Sequence, residues 1–193
     1  ASIAYAERDT AYTRIFIDRI NAEEADVLSV VFDPYGIQCA MELKKDGSMN
    51  EEKLVFTYVR AFDALTRTRY PDSAPARALF LGGCNYSYPR FFLRAFATTE
   101  ADVVEIDPGM TKLAEEYFDL NREDFPSLSI IHEDARIYLN RTHEPYDLIY
   151  VDVYGSSKNI PVHVTTKGMF EGLSQNLRED GVAFMNIISS PQG

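Results

Sequence analysis

Residues 78–108 read ALFLGGCNYSYPRFFLRAFATTEADVVEIDP, and the fold is decided there. Ala78–Leu81 is a short apolar run of strand length, broken by Gly82-Gly83. Tyr88–Ala95 changes to helical spacing, and Asp102–Ile106 is a second β-rich run. Asp107-Pro108 then opens another helix, as an N-cap with proline at the first helical position. Strand, glycine turn, helix and strand in this order build a parallel sheet through right-handed crossovers.

The alternation continues towards the C-terminus. Leu128–His132, Leu148–Val153 and Val182–Ile188 read as further strands, separated by helices over Pro108–Phe118, Ala135–Asn140 and Lys167–Leu177. Met110, Leu113, Ala114, Tyr117 and Phe118 mark one apolar face on the first of these helices. The chain stops in a loop, Ser190-Pro191-Gln192-Gly193, directly after the fifth strand. An open sheet of this kind takes its ligand outside the carboxyl ends of its strands, at the switch in strand order.

Towards the N-terminus the pattern differs. Arg14–Asp18, Val27–Asp33 and Ile37–Leu43 read as strands, and Asp33-Pro34-Tyr35-Gly36 should turn the last two into a hairpin. Ala1–Thr10 is short and mixed, without the pattern of a leader. Leu54, Tyr58, Phe62 and Leu65 set a helical period over Glu51–Thr66, and Tyr70–Pro75 is a polar connector. The expected organisation is a β-segment over 1–50, a helix and linker over 51–75, and an α/β domain over 76–193.

With 46% hydrophobic and 12% aromatic residues, the 193-residue chain can bury one sizeable core. No apolar run approaches the roughly 18 residues of a membrane span, so a cytoplasmic protein is expected. Thirty acidic against 19 basic residues give a formal charge of −11, which argues against nucleic acid and would attract a polycation. Cys39 and Cys84 stand far apart, and His132, His143 and His163 lack ligand spacing, so reduced thiols and no metal are expected.

The strand ends carry the chemistry. Gly82 and Gly83 either make a plain strand-to-helix turn or let the backbone approach a ligand without Cβ atoms in the way. Glu105 lies roughly 20 residues beyond them, the separation at which a carboxylate meets a ribose diol. Asp134 caps the next helix, accepts the exocyclic amine of an adenine, or does both. Asp152 ends a strand among apolar residues, where a carboxylate is costly unless paired or used, and no helix begins near enough for it to cap. Acidic groups at successive strand ends behind a glycine turn describe adenosine recognition. Cys84-Asn85-Tyr86-Ser87 interrupts the glycine fingerprint that seats a pyrophosphate, so a nucleoside without phosphates fits better. That is S-adenosylmethionine or its decarboxylated form, on a Rossmann-like S-adenosylmethionine-dependent methyltransferase fold.

These residues, with Tyr12, Tyr35-Gly36-Ile37-Gln38-Cys39, Tyr58 and Ile160-Pro161-Val162-His163, resemble the spermidine synthase (polyamine aminopropyltransferase) family, in its bacterial spermidine-synthase-like branch. The resemblance implies a decarboxylated S-adenosylmethionine donor, an amine acceptor such as putrescine, and a homodimer. It assigns Asp152 as the catalytic aspartate, and Gly82, Gly83, Asn85, Glu105, Ile106, Asp134 and Ala135 to the cofactor. Gln38, Tyr58 and Tyr154 would lie on the amine side. Departures from the family pattern are Asn85 where it has an aspartate facing the donor's amine, Gly155 for a second acidic residue, and Thr13 for a glutamine. A neutral Asn85 would tolerate a donor that keeps its carboxylate. The family's domain continues past the fifth strand, so this chain reads as truncated. Alternatives to aminopropyl transfer are a methyltransferase on the same sheet and an inactive nucleoside-binding or interaction module.

Overall fold

A computed structural model describes residues 2–21, 23–32, 36–141, 144–153 and 166–187. Strands β1 (Ser2–Asp9), β2 (Arg14–Ile20), β3 (Val27–Phe32) and β4 (Gly36–Glu42) form an antiparallel sheet in sequential order. Helix α1 (Thr57–Arg69) leads into β5 (Arg77–Leu81), α2 (Ser87–Ala95), β6 (Glu100–Val104), α3 (Pro108–Tyr117), β7 (Leu128–Ile131), α4 (Ala135–Leu139), β8 (Tyr146–Val151), α5 (Lys167–Asn176) and β9 (Leu177–Met185). The second sheet has the order β7-β6-β5-β8-β9, and all of its pairings are parallel. This is the expected open α/β fold.

β5 and β8 are buried almost end to end, as inner strands covered on both faces must be. One side of the sheet carries an aromatic core in which Phe80 stacks on Tyr150 at 4.8 Å between ring centroids. The antiparallel sheet shares a core with α3, where Ile15, Ile17, Val30 and Met41 pack with Met110, Leu113 and Phe118.

Three differences from the sequence reading have physical causes. β1 was not expected, because nearly all of its residues are exposed and an edge strand without a buried face leaves no alternating signal. Helix α1 buries Val59, Phe62 and Thr66, while Leu65 is 51% exposed. Thr66 can face inward because its hydroxyl donates to the Phe62 carbonyl (2.7 Å) and pairs with the Tyr150 hydroxyl (2.5 Å). The expectation of separate reduced thiols is overturned: Cys39 and Cys84 form a disulfide, with Cα atoms 6.3 Å apart. They are separated by 45 positions in sequence, and only the packing of β4 against the turn after β5 makes them neighbours.

Candidate active site

Strand order reverses between β5 and β8, and the turns leaving these strands meet. The Asp152 amide donates to the Leu81 carbonyl at 2.9 Å, which carries the pairing one step past β8. Gly82 has φ +96°, and a Cβ there would stand 2.3 Å from the Asp152 carbonyl oxygen. Glycine is therefore demanded by the close approach of the two strand ends.

The turn is held from below by Glu105, just past the end of β6. Its Oε2 accepts from the amides of Gly83 (2.8 Å) and Cys84 (3.2 Å), and its Oε1 accepts from the Asp107 amide (3.0 Å). Cys84 and Tyr86 have positive φ, as does Gly82, so the turn curls its amides into a small anion nest that the chain's own carboxylate fills. Burial raises the Glu105 pKa above the usual carboxylate range, and the three amides oppose that rise. Three of a carboxylate's roughly four acceptor positions are thus engaged, which leaves room for a hydroxyl. Glu105→Gln places an NH₂ against these amides. It is expected to weaken methylthioadenosine binding by about 10–100-fold in calorimetry, and an unchanged affinity would remove Glu105 from the nucleoside site.

Asp107 is the N-cap of α3, with Pro108 at the first helical position, and its Oδ1 accepts from the Gly109 amide at 2.8 Å. Its Oδ2 is buried without a partner among the described residues. Asp134 caps α4, accepting from the Arg136 (2.8 Å) and Ile137 (3.1 Å) amides, and Ala135 is that helix's first residue. Ile106 follows β6 and is 41% exposed.

Between β8, the glycine turn and α1 opens a pocket with an empty volume of about 500 Å³, including its open mouth. Its aromatic walls are Phe56, Tyr58, Phe62, Phe80, Tyr88 and Tyr150, and Gly82, Gly83, Asn85 and Asp152 are among the other residues that line it. Tyr58 donates from its hydroxyl to Asp152 Oδ2 at 2.7 Å, and Asn186 Nδ2 donates to Oδ1 at 3.2 Å. Burial raises the Asp152 pKa, and the two hydrogen bonds counter that rise. The structure therefore gathers Gly82, Gly83, Asn85, Tyr58 and Asp152 around one cavity, with Glu105 beneath the turn. Gln38 does not line it; its Nε2 donates to the Gly36 carbonyl at 3.1 Å. Tyr154 and Gly155 lie outside the described residues.

Sequence reasoning missed Asn186. The signal was present, because Asn186 is the polar residue in the apolar run 182–188, just past its strand, as Asp152 is past β8. Arg90 was missed as well. It is fully buried on α2 and donates to the carbonyls of Asn85 (3.0 Å) and Phe118 (2.8 Å) and to Glu51 (3.2 Å), fixing the turn from behind.

The chain is similar in sequence and fold to known proteins. The spermine/spermidine synthase domain model matches residues 65–190. A polyamine aminopropyltransferase of Vibrio vulnificus is 28% identical over 175 residues, which are 83% of this chain and 56% of that protein. A probable polyamine aminopropyl transferase of Bifidobacterium longum is 34% identical over 132 residues, 67% of this chain and 28% of that protein. The chain thus spans little more than half of the first relative and less of the second. An N-terminal histidine N-methyltransferase of Emericella nidulans is 36% identical over 92 residues, 45% of this chain and 16% of that protein. Among solved structures, a probable spermidine synthase from Corynebacterium glutamicum superposes with a TM-score of 0.76 at 24% identity, covering 95% of this chain and 63% of that one.

Proposed function

Because the chain belongs to the spermine/spermidine synthase domain family, we propose that its site binds a sulfonium nucleoside of the S-adenosylmethionine type and activates an amine to attack it. The observation that carries this reading is Asp152, held by Tyr58 and Asn186 at an aromatic pocket beside the glycine turn. Aromatic faces and one carboxylate suit an organic cation such as putrescine.

The residues present fit such a nucleoside. Asp107 Oδ2 is an open buried acceptor, Glu105 retains acceptor capacity, and Asn85 Nδ2 is an open buried donor. Glu105 would take the ribose, Asp134 and Ala135 the adenine, and Gln38 and Tyr154 would lie on the amine side. The sulfonium supplies an electrophilic carbon and a neutral leaving group: the amine nitrogen bonds to the propyl carbon, the carbon–sulfur bond breaks, and methylthioadenosine departs with the electron pair. Asp152 receives the proton the amine loses. A free alkylammonium has a pKa of about 10.4, so the acceptor must be deprotonated to react. A base whose pKa is raised by burial suits that task. Tyr58 and Asn186 hold it in place, so less ordering is left to the moment of reaction.

The test is release of methylthioadenosine, dependent on a diamine, from S-adenosylmethionine or its decarboxylated form. Formation of S-adenosylhomocysteine with a methylated acceptor would refute it in favour of methyl transfer, the second reading, which the Emericella nidulans relative favours. Nucleoside binding with no turnover would favour the inactive module. Tyr58→Phe removes a bond that lowers the Asp152 pKa, so the acid limb of the rate profile should move to higher pH. An unmoved limb would separate Tyr58 from the base.

A homodimer belongs to the same proposal. The disulfide weighs against the expected cytoplasmic location, since such bonds persist mainly in oxidising compartments.

A further inference from the structure

Asn85 opens the approach to α2, two residues before its first turn, and is 1% exposed. Its Oδ1 accepts from the Ser87 amide at 3.2 Å, which fixes the orientation of the side-chain amide. Its Nδ2 is left buried with no partner among the described residues, on a side chain that lines the pocket. A buried N–H without an acceptor costs free energy, and native proteins seldom keep one without a use.

What could satisfy it follows from donor and acceptor inventory. A protonated amine offers only donors and cannot pair with an amide N–H, whereas a carboxylate offers only acceptors. Two further features favour an anion beside Asn85. Helix α2 begins here, and its dipole puts partial positive charge at this end, although the Ser87 amide is taken by Asn85 Oδ1 and Pro89 has no N–H. The Arg90 guanidinium stands behind Asn85, donating to its backbone carbonyl at 3.0 Å, with its charge partly offset by Glu51 at 3.2 Å. Of the carboxylates near the turn, Asp152 is bonded to Tyr58 and Asn186 and Glu105 accepts from three amides, while Asp107 keeps Oδ2 open.

We propose that the Asn85 amide and the N-terminus of α2 form a carboxylate site, and that the nucleoside this chain selects is the sulfonium amino acid with its α-carboxylate intact. This rests on the proposed function and names the donor class for the same site. The group carried to the amine would then be an aminocarboxypropyl group.

The experiment is calorimetry of the purified chain with methylthioadenosine, S-adenosylmethionine and decarboxylated S-adenosylmethionine, repeated on Asn85→Asp. The wild-type chain should bind S-adenosylmethionine about tenfold more tightly than the decarboxylated form, the scale of one charge-assisted hydrogen bond. Asn85→Asp should reverse that preference. If methylthioadenosine binds and the wild type prefers the decarboxylated form, or neither, the carboxylate site is refuted and the proposed function stands. If methylthioadenosine does not bind, the nucleoside reading itself fails. The wild-type ratio decides the matter even if the variant does not fold.

Discussion

Asp152→Asn should reduce amine-dependent methylthioadenosine release by about 10²–10⁴-fold, the range that a positioned general base contributes. Methylthioadenosine affinity should persist, because the proposed nucleoside contacts fall on Glu105, Asp134 and Ala135, none of which lines the pocket at Asp152. Stability should persist too, and the sign follows from the direction of the pKa shift. Burial raises the Asp152 pKa above the unfolded value, so the folded state holds a proton that the unfolded chain has already released. Stability therefore falls as pH rises through the interval between the two values, and above it the ionised group is a standing cost. Replacing it with a neutral isostere should leave the melting temperature at neutral pH equal or higher. In the wild type, turnover should fall on the acid side at a pH above the ordinary aspartate range of about 4. A variant with normal turnover would remove Asp152 from the chemistry. One that neither binds nor melts cooperatively would show that the residue is needed for folding.

Reduction of the Cys39–Cys84 disulfide, or Cys39→Ser, should cost about 4 kcal/mol, the entropy scale for a closed loop of this separation. For a chain of this length that corresponds to a fall of roughly 10 °C in melting temperature. The bond joins β4 to the turn that sits on Glu105, so its loss should also weaken methylthioadenosine binding. Thiol titration of the unfolded protein, with and without a dithiol reductant, reports whether the bond is present. An oxidised protein whose melting point and affinity do not change on reduction would show that the two sheets hold the turn without it.

The disulfide also shows where sequence reasoning ran out. Cys39 lies in an alternating strand and Cys84 in a turn, and neither local pattern refers to the other. Asn186 and Asp152 carried the same signal, a polar residue set in an apolar run. The carboxylate was noticed because its charge is costly to bury, whereas an amide costs less and passes as a strand residue. Glu105 was legible by its distance from the glycines. That its carboxylate faces three amides of its own chain depends on curvature at Cys84 and Tyr86, which no spacing rule encodes.

Short-range chemistry by itself determined a good deal about this protein. Apolar periodicity, glycine after β5 and the Asp-Pro start of α3 specified a parallel sheet, its element order and the strand ends that matter, because each rests on neighbours within a few residues. Only the tertiary structure decided which of those ends converge. The order of strands around β5, the fit of Gly82 against the Asp152 carbonyl, and the pairing of Tyr58 and Asn186 with one carboxylate join residues 34 to 94 positions apart. Contacts at that range follow from how the layers pack, and packing is a property of the whole chain.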